Sequence, residues 1–398
     1  MDPEGRLVYQ INLQEGMGGG EIFTRFLTAA LHTLGWRTKL FVSPRASFWR
    51  ELALGAATVV PVRTLGEIEA QLEGPKQATK ALVITHSVLP PDEAERFALH
   101  SLLTGFVHMP LYERFPEGLR HYRLLFGVSE HVIASIRSRG LANVYAQPLY
   151  GIADLAPRGA SAGGTVRAAS PYDWDRRKLR DRLLGAIVPL ASTLVPRRVF
   201  AKRPGLTLGI VSRITPIKQF PTMFAILAGV LARCPWLNLE IFGSGGYASV
   251  RDLKSALAPI ERQVRFWGQQ DDVAAIYPQL DYVLSGLPEK EALGLNLIEA
   301  QCCGTPVLAV RAPPFTETVI EHQTGFFFTD PREDRGESFA RLLERLSAGA
   351  ARPDPRRATA HLERFSIAAF RERLARALSA VAQVPNQAQV SATLSRTL

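Results

Sequence analysis

The sequence predicts an α/β fold of two doubly wound parallel sheets, each covered by helices. Three observations carry that prediction. Short apolar runs recur with helix-like stretches between them, and repeated strand-then-helix order argues for a parallel sheet. The rhythm occurs twice, before and after an irregular segment from Ala156 to Lys202. The chain has 398 residues, which at about 150 per domain favours two domains over one.

In the first half, Leu7–Asn12 reads as a strand, the glycine loop Gly16–Gly20 follows, and Glu21–Leu34 reads as a helix stopped by Gly35. Thr38–Val42, Thr58–Val62, Ala81–Thr85, Leu102–Val107, Leu124–Val128 and Asn143–Gln147 are the further strands expected there. In the second half the expected strands are Leu206–Val211, Leu237–Phe242, Val264–Trp267, Tyr282–Leu284, Pro306–Ala309 and Gly325–Phe328. Helices are expected between them, including Pro221–Arg233 and Asn296–Cys303, the latter stopped by Gly304 and Pro306. The intervening segment starts small and polar and reads as a loop. It then becomes basic, with Arg176, Arg177, Lys178, Arg180 and Arg182, and ends in an apolar run before Pro204 and Gly205. These features divide the chain into a first domain, 1–203, with an insertion at about 156–202, and a second domain, 204–365. A helix at 366–384 and a polar, frayed tail at 385–398 complete it. Two such domains facing across a cleft would bind ligands beyond the carboxyl ends of their strands.

Composition narrows the class. Hydrophobic residues make up 46% and charged residues 21%, which excludes a disordered or fibrous chain. Lys and Arg number 47 against 37 acids, a net charge of +10 that favours an anionic partner. Nucleic acid is set aside, because no aromatic residues interleave with a basic stripe and no recognition motif occurs. Cys234, Cys302 and Cys303 are too few and too awkwardly spaced for a disulfide framework, so a reducing, cytoplasmic setting is expected. The first twenty residues lack the features of a signal peptide, and no apolar run reaches the ~18 residues that a membrane span needs. The basic-then-apolar stretch at 176–195 suits a peripheral contact with an anionic membrane surface, the competing reading being an ordinary packed helix.

Two motifs point to an anion site. In Glu291–Val310, Glu291 and Glu299 are separated by seven residues, with Gly294 between them and Asn296 placed to cap a short helix. Free amides near Gly294 and the positive helix end would hold a phosphate. Glu299 would accept hydrogen bonds from a diol such as a ribose, and Glu291 from a sugar hydroxyl. The plain alternative is a solvated helix with two surface acids. In Leu208–Phe220, Arg213 and Lys218 follow a strand, and two such cations suit a diphosphate, although basic loop residues are usually just solvated.

Arg213 and Lys218, then Phe242-Gly243-Ser244-Gly245, Trp267-Gly268, Glu291 to Glu299 and Gly304-Thr305-Pro306 form an ordered series. The series resembles the nucleotide-sugar domain of retaining glycosyltransferases of family four, which have the GT-B fold. The loop Gly16–Gly20 and His108, in TGFVHMP, resemble that family's acceptor domain. The resemblance covers nearly the whole chain, most strongly Leu206–Thr329. It implies an N-terminal acceptor domain, a C-terminal nucleotide-sugar domain, and return of the 366–384 helix to the first domain. Arg213 and Lys218 would then neutralise the donor diphosphate, Glu299 would bind the ribose and Glu291 the transferred sugar. Amides near Leu293, Gly294 and Leu295 would cradle phosphate, with Gly243 beside them. Gly18, Gly19 and Gly20 would admit the diphosphate, which a Cβ would obstruct. His108 would lie near the anomeric carbon. The resemblance further implies a nucleotide-diphosphate sugar as donor, a saccharide or lipid-linked acceptor, and cell-envelope polysaccharide or glycolipid assembly as the setting. Ser285-Gly286-Leu287-Pro288 departs from the family pattern, where many relatives carry Pro-Ser.

Other readings remain open at this point. His108 also reads as a buried histidine satisfied by a carbonyl, and Gly16–Gly20 as a flexible turn. His86, after the strand ALVIT, reads as structural or as acceptor-lining. Gly243-Ser244-Gly245-Gly246-Tyr247-Ala248 fits a loose dinucleotide fingerprint, so an NAD(P)-dependent oxidoreductase is an alternative. Against it, the strand that follows lacks the expected acid. Asp173-Trp174-Asp175 resembles the metal-binding acid pair of other glycosyltransferases but precedes a basic stretch, so helix capping is expected and no metal or other cofactor. A catalytically inactive nucleotide-sugar-binding protein is the last alternative.

Overall fold

A computed structural model describes residues 6–72, 80–112, 116–153, 155, 166–174, 178–185 and 198–384. It divides into one unit running to Ile152 and resuming at Glu363, and a second unit, Ala153–Leu362.

The first unit holds a six-stranded sheet of β1 (Leu7–Asn12), β2 (Arg37–Val42), β3 (Thr58–Pro61), β4 (Ala81–Thr85), β5 (Ser101–Val107) and β6 (Leu124–Gly127), in the order β3-β2-β1-β4-β5-β6. Every pairing is parallel. The central strands are apolar runs because both faces are covered: Val8, Leu40, Val83, Ile84 and Leu103 are buried. Helix Gly19–Thr33 buries Phe23, Phe26, Leu27, Ala30 and Leu31, the i, i+3, i+4 stripe of a helix lying on a sheet. Helix Ile367–Gln383 belongs to this unit. Its buried stripe Phe370, Leu374, Ala377 and Val381 meets helix Gly19–Thr33, with Phe370 edge-on to Phe23 at a 5.5 Å centroid distance. Arg123 adds a 2.7 Å bond from Nε to the Val381 carbonyl.

The second unit repeats the plan with β7 (Leu206–Val211), β8 (Leu237–Phe242), β9 (Val264–Gly268), β10 (Tyr282–Leu284), β11 (Val307–Val310) and β12 (Gly325–Phe328), ordered β12-β11-β10-β7-β8-β9. Read from its other edge, that order is the same winding as in the first sheet. In each sheet the chain reverses its direction of winding beside the first strand, between β1 and β4 and between β7 and β10. Loops leave that point on opposite sides, which opens a crevice at the carboxyl ends. Buried inside the second unit, Glu240 on β8 faces Arg265 on β9 and accepts from Arg265, from Arg203 at 3.0 Å and from the Trp267 indole at 2.8 Å.

Several expectations are corrected. The division falls after Ile152, not at 203. Val166 and Phe200 lie in the core of the second unit, Phe200 packs on Trp267 at 5.4 Å, and the Ala169 amide donates to the Trp267 carbonyl at 2.7 Å. Asn143–Gln147 forms only an isolated bridge, Leu125 to Val144, because the neighbouring edge strand is short. Gly19 and Gly20 begin a helix instead of ending a loop, with Gly18 as its N-cap. The tail 385–398 lies outside the described residues, as do 156–165, 175–177 and 186–197 of the intervening segment. Residues 179–185 are helical. Among the described residues, no helix is long and apolar enough to cross a membrane. All three cysteines are free thiols.

Candidate active site

The crevice of the second sheet gathers most of the chemistry. Strand β7 ends at Val211, and its loop carries Arg213 and Lys218 before helix Phe220–Leu231. Strand β10, the neighbour of β7, leads into the loop that carries Glu291. Lys218 Nζ pairs with Glu291 Oε2, and both side chains are largely withdrawn from solvent, at 20% and 13% exposure. Burial alone would raise the Glu291 carboxyl. The Lys218 charge and hydrogen bond, with the Ala292 and Gly294 amides, bring it below the ordinary carboxylate value instead.

Helix Leu295–Cys302 begins at Gly294, whose φ of +80° suits glycine, and no side chain caps it. A Cβ on Gly294 would also sit 3.0 Å from the Phe315 ring. Asn296 therefore lies inside the first turn and is not the cap. The leading amides of the helix and its positive end face the same loop system. Glu299, one turn further on, accepts a 2.9 Å hydrogen bond from the Tyr277 hydroxyl. Burial raises its carboxyl, opposed by the Tyr277 bond and the charge of Lys218. Lys218 thus bonds Glu291 directly and acts on Glu299 through its charge. Tyr277, buried on a short helical turn, had no distinguishing sequence signal.

Glycine explains how the loops meet. A Cβ on Gly286 would stand 2.4 Å from the Lys218 carbonyl oxygen. The Gly286 of the departing Ser-Gly-Leu-Pro stretch is thus what lets the Lys218 backbone approach, and the Leu287 amide then donates to that carbonyl at 3.3 Å. Gly286→Ala is expected to push Lys218 away from Glu291 and to cut turnover by about tenfold or more, since small misplacements are costly in a polar site. Steady-state kinetics on the folded variant check this, and unchanged kinetics would show that Lys218 is not placed by this contact.

Gly243 plays a different part from the one expected. Its φ is +143°, and a Cβ there would lie 1.9 Å from the Ser212 carbonyl. Its amide already donates to the Gly268 carbonyl at 2.7 Å, and the Gly245 amide to the Pro171 carbonyl at 3.0 Å. Two of the loop's amides are therefore spent on backbone carbonyls. Gly243 instead keeps the β8 loop against the loop of Arg213. Arg213 itself is exposed and, among the described residues, has no carboxylate within ion-pair distance. Asp173, expected to cap a helix, receives the Ser244 hydroxyl and donates its own amide to the Gly245 carbonyl at 2.8 Å, while Asp175 lies outside the described residues. Among the described residues no group of three His, Cys, Asp or Glu is placed to hold a metal ion.

In the first unit His108 follows β5 and His86 follows β4, side by side at the carboxyl ends of paired strands. His108 Nε2 lies 3.2 Å from His86 Nδ1, and the rings stack at a 5.5 Å centroid distance. Burial depresses His108 to about 4 and, with the nearby His108, holds His86 well below its ordinary value. His86 is thus bound to a predicted site residue. Its signal in the sequence was its matching position after a parallel strand. Gly18–Gly20 open the helix that carries Phe23 onto the His108 ring at 5.1 Å. A Cβ on Gly19 or Gly20 would meet nothing within 4 Å among the described residues.

Residues 197–358 match the family model for glycosyl transferases group 1. A glycosyltransferase of Haemophilus influenzae is 27% identical over 168 residues, 42% of this chain and 46% of that protein. A D-inositol 3-phosphate glycosyltransferase of Rhodococcus erythropolis is 33% identical over 176 residues, 41% of this chain and 39% of that protein. The chain spans less than half the length of these curated relatives. Among solved structures, Anabaena HepE in complex with UDP aligns with a TM-score of 0.67 at 17% identity, covering 94% of this chain and all 100% of that one. Sucrose-phosphate synthase from Thermosynechococcus elongatus aligns with a TM-score of 0.66 at 18% identity, over 96% and 100% of the two chains. The fold shared with these structures is GT-B.

Proposed function

Because residues 197–358 carry a glycosyl transferases group 1 domain, we propose that this protein moves a sugar from a nucleotide-diphosphate donor to a hydroxyl of a saccharide or lipid-linked acceptor. The observation that carries the reading is the convergence of Lys218, Glu291 and Glu299 beside an uncapped helix end at the reversal point of a doubly wound sheet. Lys218 and Arg213 neutralise the diphosphate, and the amides of Leu293 and Leu295 cradle it, joined by that of Gly294 once the Glu291 carboxylate releases it. Glu299, steadied by Tyr277, binds the ribose hydroxyls. An entering diphosphate competes with Glu291 for Lys218, which leaves the Glu291 carboxylate to hold hydroxyls of the transferred sugar. Uridine diphosphate is a candidate nucleotide part, by analogy with the HepE complex.

The configuration at the anomeric carbon is retained, as in the family-four enzymes the motifs resemble. The bond from that carbon to the β-phosphate oxygen breaks, the acceptor oxygen bonds to it from the same face, and the acceptor proton passes to the departing phosphate. The protein contributes position and charge stabilisation, with no covalent nucleophile. The setting is assembly of envelope polysaccharide or glycolipid on the cytoplasmic side of a membrane. Leu179 and Leu183, exposed on helical residues 179–185 among Lys178, Arg180 and Arg182, support contact with anionic lipid there.

The test is turnover of a panel of nucleotide-sugars, read as release of the nucleoside diphosphate with and without saccharide acceptors. Turnover of one donor supports the reading. Binding without turnover would leave an inactive nucleotide-sugar-binding protein. Transfer is expected to survive a chelator such as EDTA unchanged, and loss of activity that added divalent cation restores would show metal dependence.

A further inference from the structure

A hydrogen-bond chain in the first unit determines which nitrogen of His108 carries its proton. Thr28 donates its hydroxyl to the Thr24 carbonyl at 2.8 Å, so its oxygen must accept from Gln10 Nε2, 2.9 Å away. That fixes the Gln10 amide with Oε1 toward His86 Nε2 at 3.0 Å. Oε1 only accepts, so His86 Nε2 carries a hydrogen. Buried and neutral, His86 has one ring hydrogen, and its Nδ1 is bare. Thr24, also 3.2 Å from that nitrogen, donates its hydroxyl to the Gly20 carbonyl at 2.8 Å and accepts from Asn12 Nδ2 at 3.0 Å. The 3.2 Å contact between His86 Nδ1 and His108 Nε2 then needs its hydrogen from His108.

We propose that Gln10 and His86 are positioning residues that hold His108 as the Nε2–H tautomer, so that its Nδ1 lone pair accepts a hydrogen bond from a sugar hydroxyl. The substrate half of this statement rests on the glycosyl-transfer reading. The tautomer half rests on the hydrogen-bond geometry together with the neutrality that burial imposes on His86. Two features support an outward role for Nδ1. His108 is only half-buried, and among the described residues its Nδ1 has no partner. Gln10 is fully buried inside a strand, where a polar side chain is disfavoured unless it is fully bonded, and its two bonds lead to the histidines and to Thr28.

The test uses the full chain labelled with 15N in its histidine side chains, without substrate, and reads two-bond 1H–15N correlations at neutral pH. Both His86 and His108 are expected to show protonated Nε2 and bare Nδ1. In Gln10→Leu the buried His86 Nε2–H loses its acceptor, so His86 is expected to move its hydrogen to Nδ1 and His108 to follow with Nδ1–H. Gln10→Glu, which keeps an acceptor oxygen, is expected to restore the wild-type pattern. Turnover of the active donor should fall about tenfold in kcat in Gln10→Leu, with KM for the nucleotide-sugar unchanged. A wild-type His108 protonated on Nδ1, or a His108 tautomer indifferent to Gln10→Leu, overturns the proposal, and the wild-type spectrum decides it even if the variant does not fold. Expected tautomers in a protein that turns over no nucleotide-sugar would sink the glycosyl-transfer reading and leave the relay standing.

Discussion

Glu291→Ala is expected to fold normally and to lose sugar transfer by about 10²–10³-fold, the range seen when one preorganised polar contact to a reacting centre is removed. Glu291 is the partner of a largely buried Lys218. Removing it leaves that ammonium without its carboxylate, which makes the pocket more attractive to a diphosphate. Nucleotide binding should therefore be retained or tightened while the chemical step collapses. That split separates loss of a sugar contact from general damage, because a disordered loop would weaken both. Thermal unfolding, nucleotide titration and single-turnover transfer on the one variant check the three parts. Wild-type turnover would remove Glu291 from the site.

Glu240→Ala should have the largest effect on stability. Glu240 has no solvent exposure and accepts from two guanidinium groups and an indole. Truncation leaves Arg265 and Arg203 facing a buried gap without their counter-charge. Breaking a buried pair from one side typically costs about 3–5 kcal/mol. The loss should appear in denaturant unfolding as an earlier transition of the second unit, with Glu240→Gln less damaging because it still accepts from the indole. Unchanged unfolding would mean that water reaches these groups easily and that the cluster contributes little.

Much of the sheet framework was legible because it is written locally. Leu206–Val211, Leu237–Phe242 and Ala81–Thr85 are strands buried on both faces, and such strands announce themselves as apolar runs between turn residues. Asn143–Gln147 has similar composition but only one bridge partner, and composition does not reveal whether a neighbour exists. The position of the boundary was equally hidden, since Val166 and Phe200 join the second core through contacts with Trp267, Phe242 and others far along the chain. In the site, Lys218, Glu291 and Glu299 were visible as charged residues at strand ends and a helix start. What the spacing could not show is that Lys218 and Glu291, 73 positions apart, neutralise each other. Nor could it show that Tyr277 supports Glu299 or that the Gly243 amide is consumed by Gly268. Gln10 was hidden most fully, as a polar residue inside a strand whose meaning depends on His86, 76 positions away.

The proposed function requires that a nucleoside diphosphate be gripped at the carboxyl edge of the second sheet. Calorimetric titration of nucleoside diphosphates, with uridine diphosphate first, tests it on the wild type, Arg213→Ala, Lys218→Ala and Glu299→Ala. One saturable site is expected, about tenfold or more weaker in the two cation variants through loss of charge-assisted bonds, and weaker in Glu299→Ala for the diphosphate but not for inorganic pyrophosphate, which has no ribose. Binding that is absent, indifferent to all three substitutions, or replaced by a preference for a nicotinamide dinucleotide would contradict it.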